Sequence, residues 1–297
     1  MNRFSGKASW AVVFWGSSFV ATRMALRWLT PTGLVLVRLL IGSVSMWCLA
    51  SLFETRRGLA PADRGRLVLL GLILAGHLLI QNVGLLKTTA ANTGWIIGFI
   101  PATIAVGAFV FLKERLTGWA WVGIALGAGG ILLVSLSSGF GFSQAKVGDL
   151  LQLSSCFTWT AYTLLAIGPI RRNGALPVTV WSLAVAAVAT GVASPFFPFT
   201  CGIATTESIV AVGFLGLVCS GAAYWLWFRA VDDVGSTTTG TYLYLEPLVT
   251  LVAAALLLGE TVHPLGVAGG VAVLAGVWLV SANRRLATQG HGSSDKQ

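Results

Sequence analysis

Four ionisable side chains lie inside long apolar stretches of the sequence: Arg23, Arg38, His77 and Glu246. In a bilayer such groups face a cavity or a partner, because an unpaired charge in hydrocarbon is costly. His77 lies about 11 residues along its stretch and Glu246 about 10, which is roughly 15 Å of helix and half of a ~30 Å hydrocarbon core. We therefore expect both near the middle of a membrane, where they could hydrogen-bond a substrate or carry a proton. The alternative is structural: a hydrogen bond of His77 to another helix, and an ion pair of Glu246 with an arginine.

Further candidates for a substrate cavity share helical faces with one another. Gln81 follows His77 by one turn, and Tyr242 precedes Glu246 by one turn. Aromatic pairs recur at similar spacing, namely Trp15 with Phe19, Trp95 with Phe99, Trp159 with Tyr162, and Tyr224 with Trp227. Aromatic walls suit flat or cationic substrates, whereas the alternative is that each ring packs against helices or lipid.

Two prolines and two arginines are expected to shape the helices. Pro101 and Pro247 lack an amide proton, so each should kink its helix, and a pair of kinks could gate a cavity or serve packing alone. Arg23 and Arg38 are predicted to be structural, binding carbonyl oxygens of loops or helix ends. Arg23 could instead attract a carboxylate or extend outward to the membrane surface.

The composition restricts the elements that can hold these residues. The chain has 297 residues, of which 56% are hydrophobic and 10% charged, with a net charge of +9. A soluble domain carries roughly 25% charged residues, so a cytosolic enzyme, a disordered chain and a nucleic-acid-binding protein are excluded. The sequence predicts an all-α polytopic membrane protein.

Apolar runs bounded by charge, Pro or Gly predict ten transmembrane helices with short loops. They cover residues 8–28, 31–53, 66–86, 90–112, 118–138, 147–170, 177–199, 206–230, 236–258 and 264–283. Most Lys and Arg between these runs fall on the side of the N-terminus, and the other side holds Arg27, Lys87 and Lys146. The positive-inside rule then places both termini in the cytoplasm of a bacterial cell, with the chain in the inner membrane.

The sequence also matches itself at an offset of 146 residues. Residues 93–135 align with 239–281, which pairs Pro101 with Pro247 and Glu114 with Glu260. Each half holds five predicted helices, an odd number, so the two halves should be inverted relative to each other, as in many secondary transporters. The predicted organisation is two inverted five-helix repeats, with short cytoplasmic ends. The boundaries are 1–7 for the N-terminus, 8–138 and 147–283 for the repeats, and 284–297 for the tail.

Three features resemble one known family. They are the WGSSFVATR stretch at 15–23, the segment from Pro31 to Arg38, and the proline followed thirteen residues later by glutamate in both repeats. The chain resembles the drug/metabolite transporter superfamily, in particular its EamA-type ten-helix exporters. That resemblance implies export of small metabolites, commonly amino acids, and of cationic drugs in some members.

The sequence therefore favours a secondary transporter that exports small metabolites by alternating access, through a midplane cavity between the repeats. Amino acids are the favoured substrates, with a slight preference for aromatic ones because of the Trp and Tyr content. An exporter of cationic drugs or other metabolites, and a channel, are the alternatives. Glu246 or His77 could carry a coupling proton. The choice between proton antiport and facilitated diffusion is left open, as is the oligomeric state.

An enzyme is not expected. The sequence has no GxxxxGK[ST] motif and no HExxH motif, and the Asp232-Asp233 doublet lacks further acidic partners. The four cysteines are scattered without metal-binding or disulfide spacing. We therefore predict no catalytic residues, no metal ligands, no cofactor and no nucleic-acid partner.

Overall fold

A computed structural model describes residues 5–52, 60–112, 116–137 and 143–291, and most of these residues are α-helical. The α-helices, in chain order, are α1 (Gly6–Ala25), α2 (Pro31–Leu52), α3 (Arg64–Lys87), α4 (Ala90–Ile97), α5 (Ile100–Leu112), α6 (Gly118–Leu136), α7 (Gln144–Asn173), α8 (Ala175–Ala193), α9 (Thr206–Phe214), α10 (Ala223–Val234), α11 (Ser236–Thr241), α12 (Glu246–Leu258) and α13 (Pro264–His291).

Local sequence explains where several helices begin. The Thr89 and Thr117 hydroxyl groups accept hydrogen bonds from the amides of Asn92 and Ala120, which caps α4 and α6. Gly174, at φ 85°, separates α7 from α8, and Gly235, at φ 84°, separates α10 from α11. Other residues rarely adopt these angles, so glycine allows the chain to turn sharply there.

Eight helical segments of the described chain are long and apolar enough to cross a bilayer, and Pro264–Val280 is a shorter apolar helix. This confirms the prediction of an all-helical polytopic membrane protein. Helix α13 continues to His291, into the segment predicted as the tail, and 292–297 lie outside the described residues. Residues 284–291 contain Arg, Leu, Ala and Gln, which favour helix, and no proline.

Two long helices are interrupted just before the prolines. A turn at Gly98 and Phe99 separates α4 from α5, whose second residue is Pro101. A 3₁₀ turn over Tyr242–Leu245 separates α11 from α12, whose second residue is Pro247. The paired helices α4 and α11, α5 and α12, and α6 and α13 each begin 146 residues apart, the offset at which the sequence matches itself.

Helices α6 and α13 pack closely along a seam of glycines. A Cβ added to Gly123 would lie 2.4 Å from the Gly276 carbonyl oxygen, and one added to Gly130 would lie 2.5 Å from that of Gly269. Because the contact partner moves backwards along α13 as α6 advances, the two helices are antiparallel. These small residues therefore serve contact within the chain, where they let two backbones approach.

Candidate substrate cavity

A small buried cavity lies between α1, α2, α3, α7, α10 and the interrupted helices around α5 and α12. Its lining consists of Trp15, Phe19, Arg38, His77, Leu78, Gln81, Ile97, Ile100, Trp159, Tyr224, Leu243 and Glu246. The volume is ≈ 30 Å³. Since one water needs at least roughly 10–15 Å³ by this measure, the cavity has room for about two waters. A metabolite can occupy it only after the helices move apart.

Glu246 is the acidic group of the cavity. It begins α12 and its side chain is 3% exposed. A helix N-terminus favours negative charge, so the first turn of α12 is a suitable position for an acidic side chain. Among the described residues the carboxyl group makes no ion pair within 4 Å, and its backbone carbonyl is the atom that Thr250 contacts. The carboxylate therefore faces the cavity without a protein cation beside it.

Arg38 is the basic group that lines the cavity, and its predicted structural role stays a prediction. Its guanidinium Nε donates to the Ser220 hydroxyl at 2.9 Å, rather than to carbonyl oxygens, and the side chain is 3% exposed. Ser220 lies in a π-helical segment, Leu215–Ala222, between α9 and α10. Such segments often occur at functional sites because the wider turn redirects side chains. The charge on Arg38 thus reaches the same cavity as Glu246.

His77 is anchored to the neighbouring helix α7. Its Nδ1 lies 2.9 Å from the Thr158 hydroxyl, and its ring centroid lies 5.4 Å from that of Trp159. This contact is the hydrogen bond to another helix that the sequence offered as the structural alternative for His77. The same residue also lines the cavity. Gln81, one turn later, shares the lining.

An aromatic cluster forms one wall of the cavity. The Trp15 ring lies 4.9 Å from that of Trp159 and 5.3 Å from that of Tyr224, both edge-on. The Trp15 indole nitrogen donates to the Cys219 carbonyl at 3.1 Å. The Trp159 indole nitrogen is buried and has no partner among the described residues. Because Trp159 lines the cavity, its indole N–H is a candidate donor to a ligand there.

Tyr162 and Trp227 form a second layer behind this wall. The Tyr162 hydroxyl lies 3.0 Å from that of Ser182, and its ring contacts Trp159 at 5.6 Å. Trp227 packs against Trp15 at 5.3 Å. These two residues support the rings that line the cavity and are not part of its lining.

The structure brings three other predicted candidates to different sites. Trp95 packs so closely on α13 that a Cβ added to Gly270 would lie 2.2 Å from its ring. Phe99 packs on α6, where a Cβ added to Gly127 would lie 2.6 Å from its ring. The Tyr242 hydroxyl accepts a hydrogen bond from the Ser5 amide. Helical spacing identifies rings that share a face but does not say which neighbour that face contacts.

Arg23 lies away from the cavity in a network that joins three parts of the chain. Its guanidinium donates to the Thr88 carbonyl at 2.5 Å and lies 3.8 Å from the Glu260 carboxylate. Glu260 also accepts hydrogen bonds from the amides of Ala90 and Ala91 at the start of α4. Arg23 is thus both carbonyl-bound and paired with a carboxylate of the protein. We call Arg23, Thr88 and Glu260 the Arg23 network.

The two prolines lie close to the cavity. Pro247 follows Glu246 and packs against Gly98, at 2.8 Å from an added Cβ. Pro101 follows Ile100, which lines the cavity. Both helix interruptions therefore border the lining, where a change in kink would alter its shape.

Sequence reasoning missed two buried carboxylates. Asp63 accepts hydrogen bonds from Arg172 and from Asn173 Nδ2, and Asp149 accepts one from the Thr88 hydroxyl. Both lie near predicted helix ends, where a charged residue was interpreted only as the end of an apolar helix. No group of three or more His, Cys, Asp or Glu side chains in the described part of the chain could hold a metal ion.

Comparison with known proteins identifies the family. The model of the EamA-like transporter family matches this chain twice, over residues 8–136 and 146–282. The chain belongs to the EamA-like transporter family. This EamA-like transporter is 30% identical to a protein of Streptantibioticus cattleyicolor named "probable terminal-alkyne amino-acid exporter", over 94% of each chain.

Two further likenesses extend the comparison. A "probable amino-acid metabolite efflux pump" of Salmonella typhimurium is 28% identical over 60% of this chain and 62% of its own. A solved crystal structure matches with a TM-score of 0.71 at 19% identity, covering 95% of this chain and 98% of that one. At that identity the likeness shows the fold alone. The EamA-like transporter is therefore a multi-pass membrane transporter.

Proposed function

We propose that this transporter exports small metabolites, foremost α-amino acids, by alternating access. The observation that carries the proposal is the presence of Arg38 and Glu246 in the lining of one buried cavity. An amino acid is a zwitterion, whose carboxylate suits the guanidinium and whose ammonium suits the carboxylate. Relatives named as amino-acid exporters support the same substrate class.

The remaining lining supports the same substrates. His77 and Gln81 offer hydrogen bonds, and Trp159 offers an indole N–H that no described residue occupies. Trp15 and Tyr224 present ring edges and faces to a side chain, which favours aromatic amino acids. Charged groups interact strongly here because little water screens them.

Alternating access rests on an inverted repeat of two five-helix halves, 8–138 and 147–283. Contacts between matching positions support it: Gly123 faces Gly276, and their counterparts Gly269 and Gly130 face each other. A two-fold relation between the halves produces such an exchange, because each contact is then made twice.

A second pair of contacts between corresponding positions of the two halves supports the same relation. Gly94 approaches Thr250, and the corresponding residues Gly240 and Ile104 also approach each other. With ten spans and both ends cytoplasmic, the half-helices beside Pro101 and Pro247 would rearrange as one half rocks against the other. The membrane would be the bacterial inner membrane, and the driving ion a proton.

Counterflow in proteoliposomes tests the substrate class. Vesicles loaded with one unlabelled amino acid should take up the same labelled amino acid faster than protein-free vesicles. An Arg38→Gln variant, reconstituted at equal density, is the matched control and should lose this exchange. If a panel of amino acids gives no exchange above protein-free vesicles, with or without a pH gradient, the proposal fails.

A cationic drug is the second candidate, because Glu246 and the Trp15 and Tyr224 rings also suit a hydrophobic cation. Such a substrate has no carboxylate for the Arg38 guanidinium to bind. Exchange of cations that survives Arg38→Gln and is lost in Glu246→Gln would favour this function over amino-acid export.

A further inference from the structure

A second buried carboxyl group lies outside the substrate cavity, where α7 packs against the end of α3. Asp149 is 2% exposed, and its Oδ1 accepts a hydrogen bond from the Thr88 hydroxyl at 2.5 Å. The side chains of Asn92 and Ser135 also lie within hydrogen-bonding reach of the carboxyl group. The other oxygen, Oδ2, has no hydrogen-bond partner among the described residues.

Gln152 brings a second unsatisfied acceptor into the same seam. It follows Asp149 by three residues, so both side chains lie on one face of α7. Its Nε2 donates to the Gln81 carbonyl at 2.8 Å, which leaves its buried Oε1 without a partner among the described residues. Both residues face the end of α3, because Gln152 contacts Gly84 and Asp149 contacts Thr88.

The described basic side chains near Asp149 bind other partners or lie beyond ion-pair distance. Lys87 at the end of α3 donates to Gln144 at 2.6 Å, and Arg23 of α1 belongs to the Arg23 network. Lys146 lies one turn earlier on α7, and no ion pair within 4 Å joins a described cation to Asp149. Helices α4 and α6, which also pack on α7, contain no ionisable residue, and neither does the sequence of 138–142.

Two buried acceptors without a donor are unfavourable, and an unpaired buried carboxylate is more so. A proton on Oδ2 removes the charge and makes this atom a donor, and Gln152 Oε1 is an unpaired buried acceptor on the same face of α7. We propose that Asp149 is a proton-binding site of this transporter, separate from the substrate cavity, in which the proton is shared with Gln152.

The site is connected to the Arg23 network through a single residue. The Thr88 hydroxyl contacts Asp149, while the Thr88 carbonyl accepts from Arg23, which pairs with Glu260. Loss of the proton leaves a buried charge that attracts water into the α3–α7 seam and loosens this end of the bundle. Coupling of the proton to transport rests on the proposed function, whereas proton binding itself does not.

Thermal unfolding of the full-length protein in detergent, measured from acidic to alkaline pH, tests the site. A carboxyl group that holds its proton more tightly in the folded than in the unfolded chain adds stability at low pH, which is lost as pH rises. Asp149→Asn carries a permanent donor in place of the proton. We expect the wild type to lose stability with rising pH and Asp149→Asn to lose less, with the two converging at low pH.

Two results would overturn the proposal. Asp149→Asn could keep the full pH dependence of the wild type, with a stability lower by the same amount at every pH, as an ionised structural carboxylate requires. Alternatively, the wild type could be stabilised by sodium at fixed pH while Asp149→Asn is not, which would make the ligand a metal cation.

A second variant covers the case in which Asp149→Asn does not fold. Gln152→Leu keeps the carboxyl group but removes the proton's second acceptor, which weakens proton binding in the folded chain. The loss of stability with rising pH should therefore be smaller than in the wild type and should be complete at a lower pH. The infrared C=O band of a protonated carboxyl group should likewise disappear at lower pH. An unchanged band and an unchanged profile would contradict the proposal, whether or not any substrate is found.

Discussion

Ionisable side chains are ion-paired at the ends of the helices and unpaired in the cavity. At the helix ends, Asp63 is paired with Arg172, and Glu260 with Arg23. In the cavity, Arg38 and Glu246 form no ion pair with each other within 4 Å. Paired charges hold helices together, whereas unpaired charges around a small cavity are available to a ligand. We propose that this difference separates residues of the scaffold from residues that bind a ligand.

The largest expected effect is the loss of substrate binding in Arg38→Gln. Removing one partner of a desolvated charge pair costs at least about 2 kcal/mol, which is about 30-fold or more in affinity. Equilibrium binding of a labelled amino acid to the purified protein measures it. Arg23→Gln is the control and should bind nearly as well as the wild type. Equal losses in both variants would erase the distinction between cavity and helix ends.

The next effect concerns the scaffold and compares a buried carboxylate with an exposed one. Asp63 is fully buried, whereas Asp233 and its partner Lys7 are both 41% exposed. We expect Asp63→Asn to destabilise the protein by about 1–3 kcal/mol, and Asp233→Asn by about 0–1 kcal/mol. Thermal unfolding in detergent gives the order, and substrate affinity should change in neither. A larger effect at Asp233 would contradict this account.

The glycine seam offers a comparison between adjacent residues. Gly130→Ala places a methyl group against the backbone of α13, whereas Gly129→Ala finds nothing within 4 Å. Overpacking costs about 1–3 kcal/mol, so Gly130→Ala should lower the unfolding temperature and Gly129→Ala should not. Equal unfolding temperatures would mean that α6 and α13 do not pack as described.

The smallest effect separates the lining from the layer behind it. Trp159→Phe keeps a ring in the cavity wall but removes the indole N–H. We expect a loss of about 0.5–1.5 kcal/mol in binding, which is about 2- to 12-fold in affinity. Trp227→Phe also removes an unpartnered N–H, but one that lies outside the lining, and should leave affinity unchanged. A loss of affinity in Trp227→Phe alone would reverse this order.

Element boundaries could be predicted from sequence because apolar length and proline determine them locally. The interruptions before Pro101 and Pro247 follow from the missing amide proton, and α2 begins at Pro31 as expected. His77 and Glu246 were identifiable because ionisable groups are rare in this chain.

What each helical face contacts could not be predicted. Trp95 and Phe99 have the spacing of cavity residues, yet they fill spaces that Gly270 and Gly127 leave on other helices. Arg38 reaches the cavity because a π-helical segment far along the chain presents Ser220 to it. These contacts depend on how distant helices pack, which local spacing does not encode.

The most direct test of the account removes one charged group at a time from the substrate and from the cavity, and measures binding. An amino acid, the amine that lacks its carboxylate and the acid that lacks its ammonium should be compared by binding to Arg38→Gln and Glu246→Gln. Arg38→Gln should lose most of the preference for the amino acid over the amine, and Glu246→Gln the preference over the acid. If both variants keep the wild-type order of the three ligands, Arg38 and Glu246 do not bind the two ends of the substrate, and the central claim is wrong.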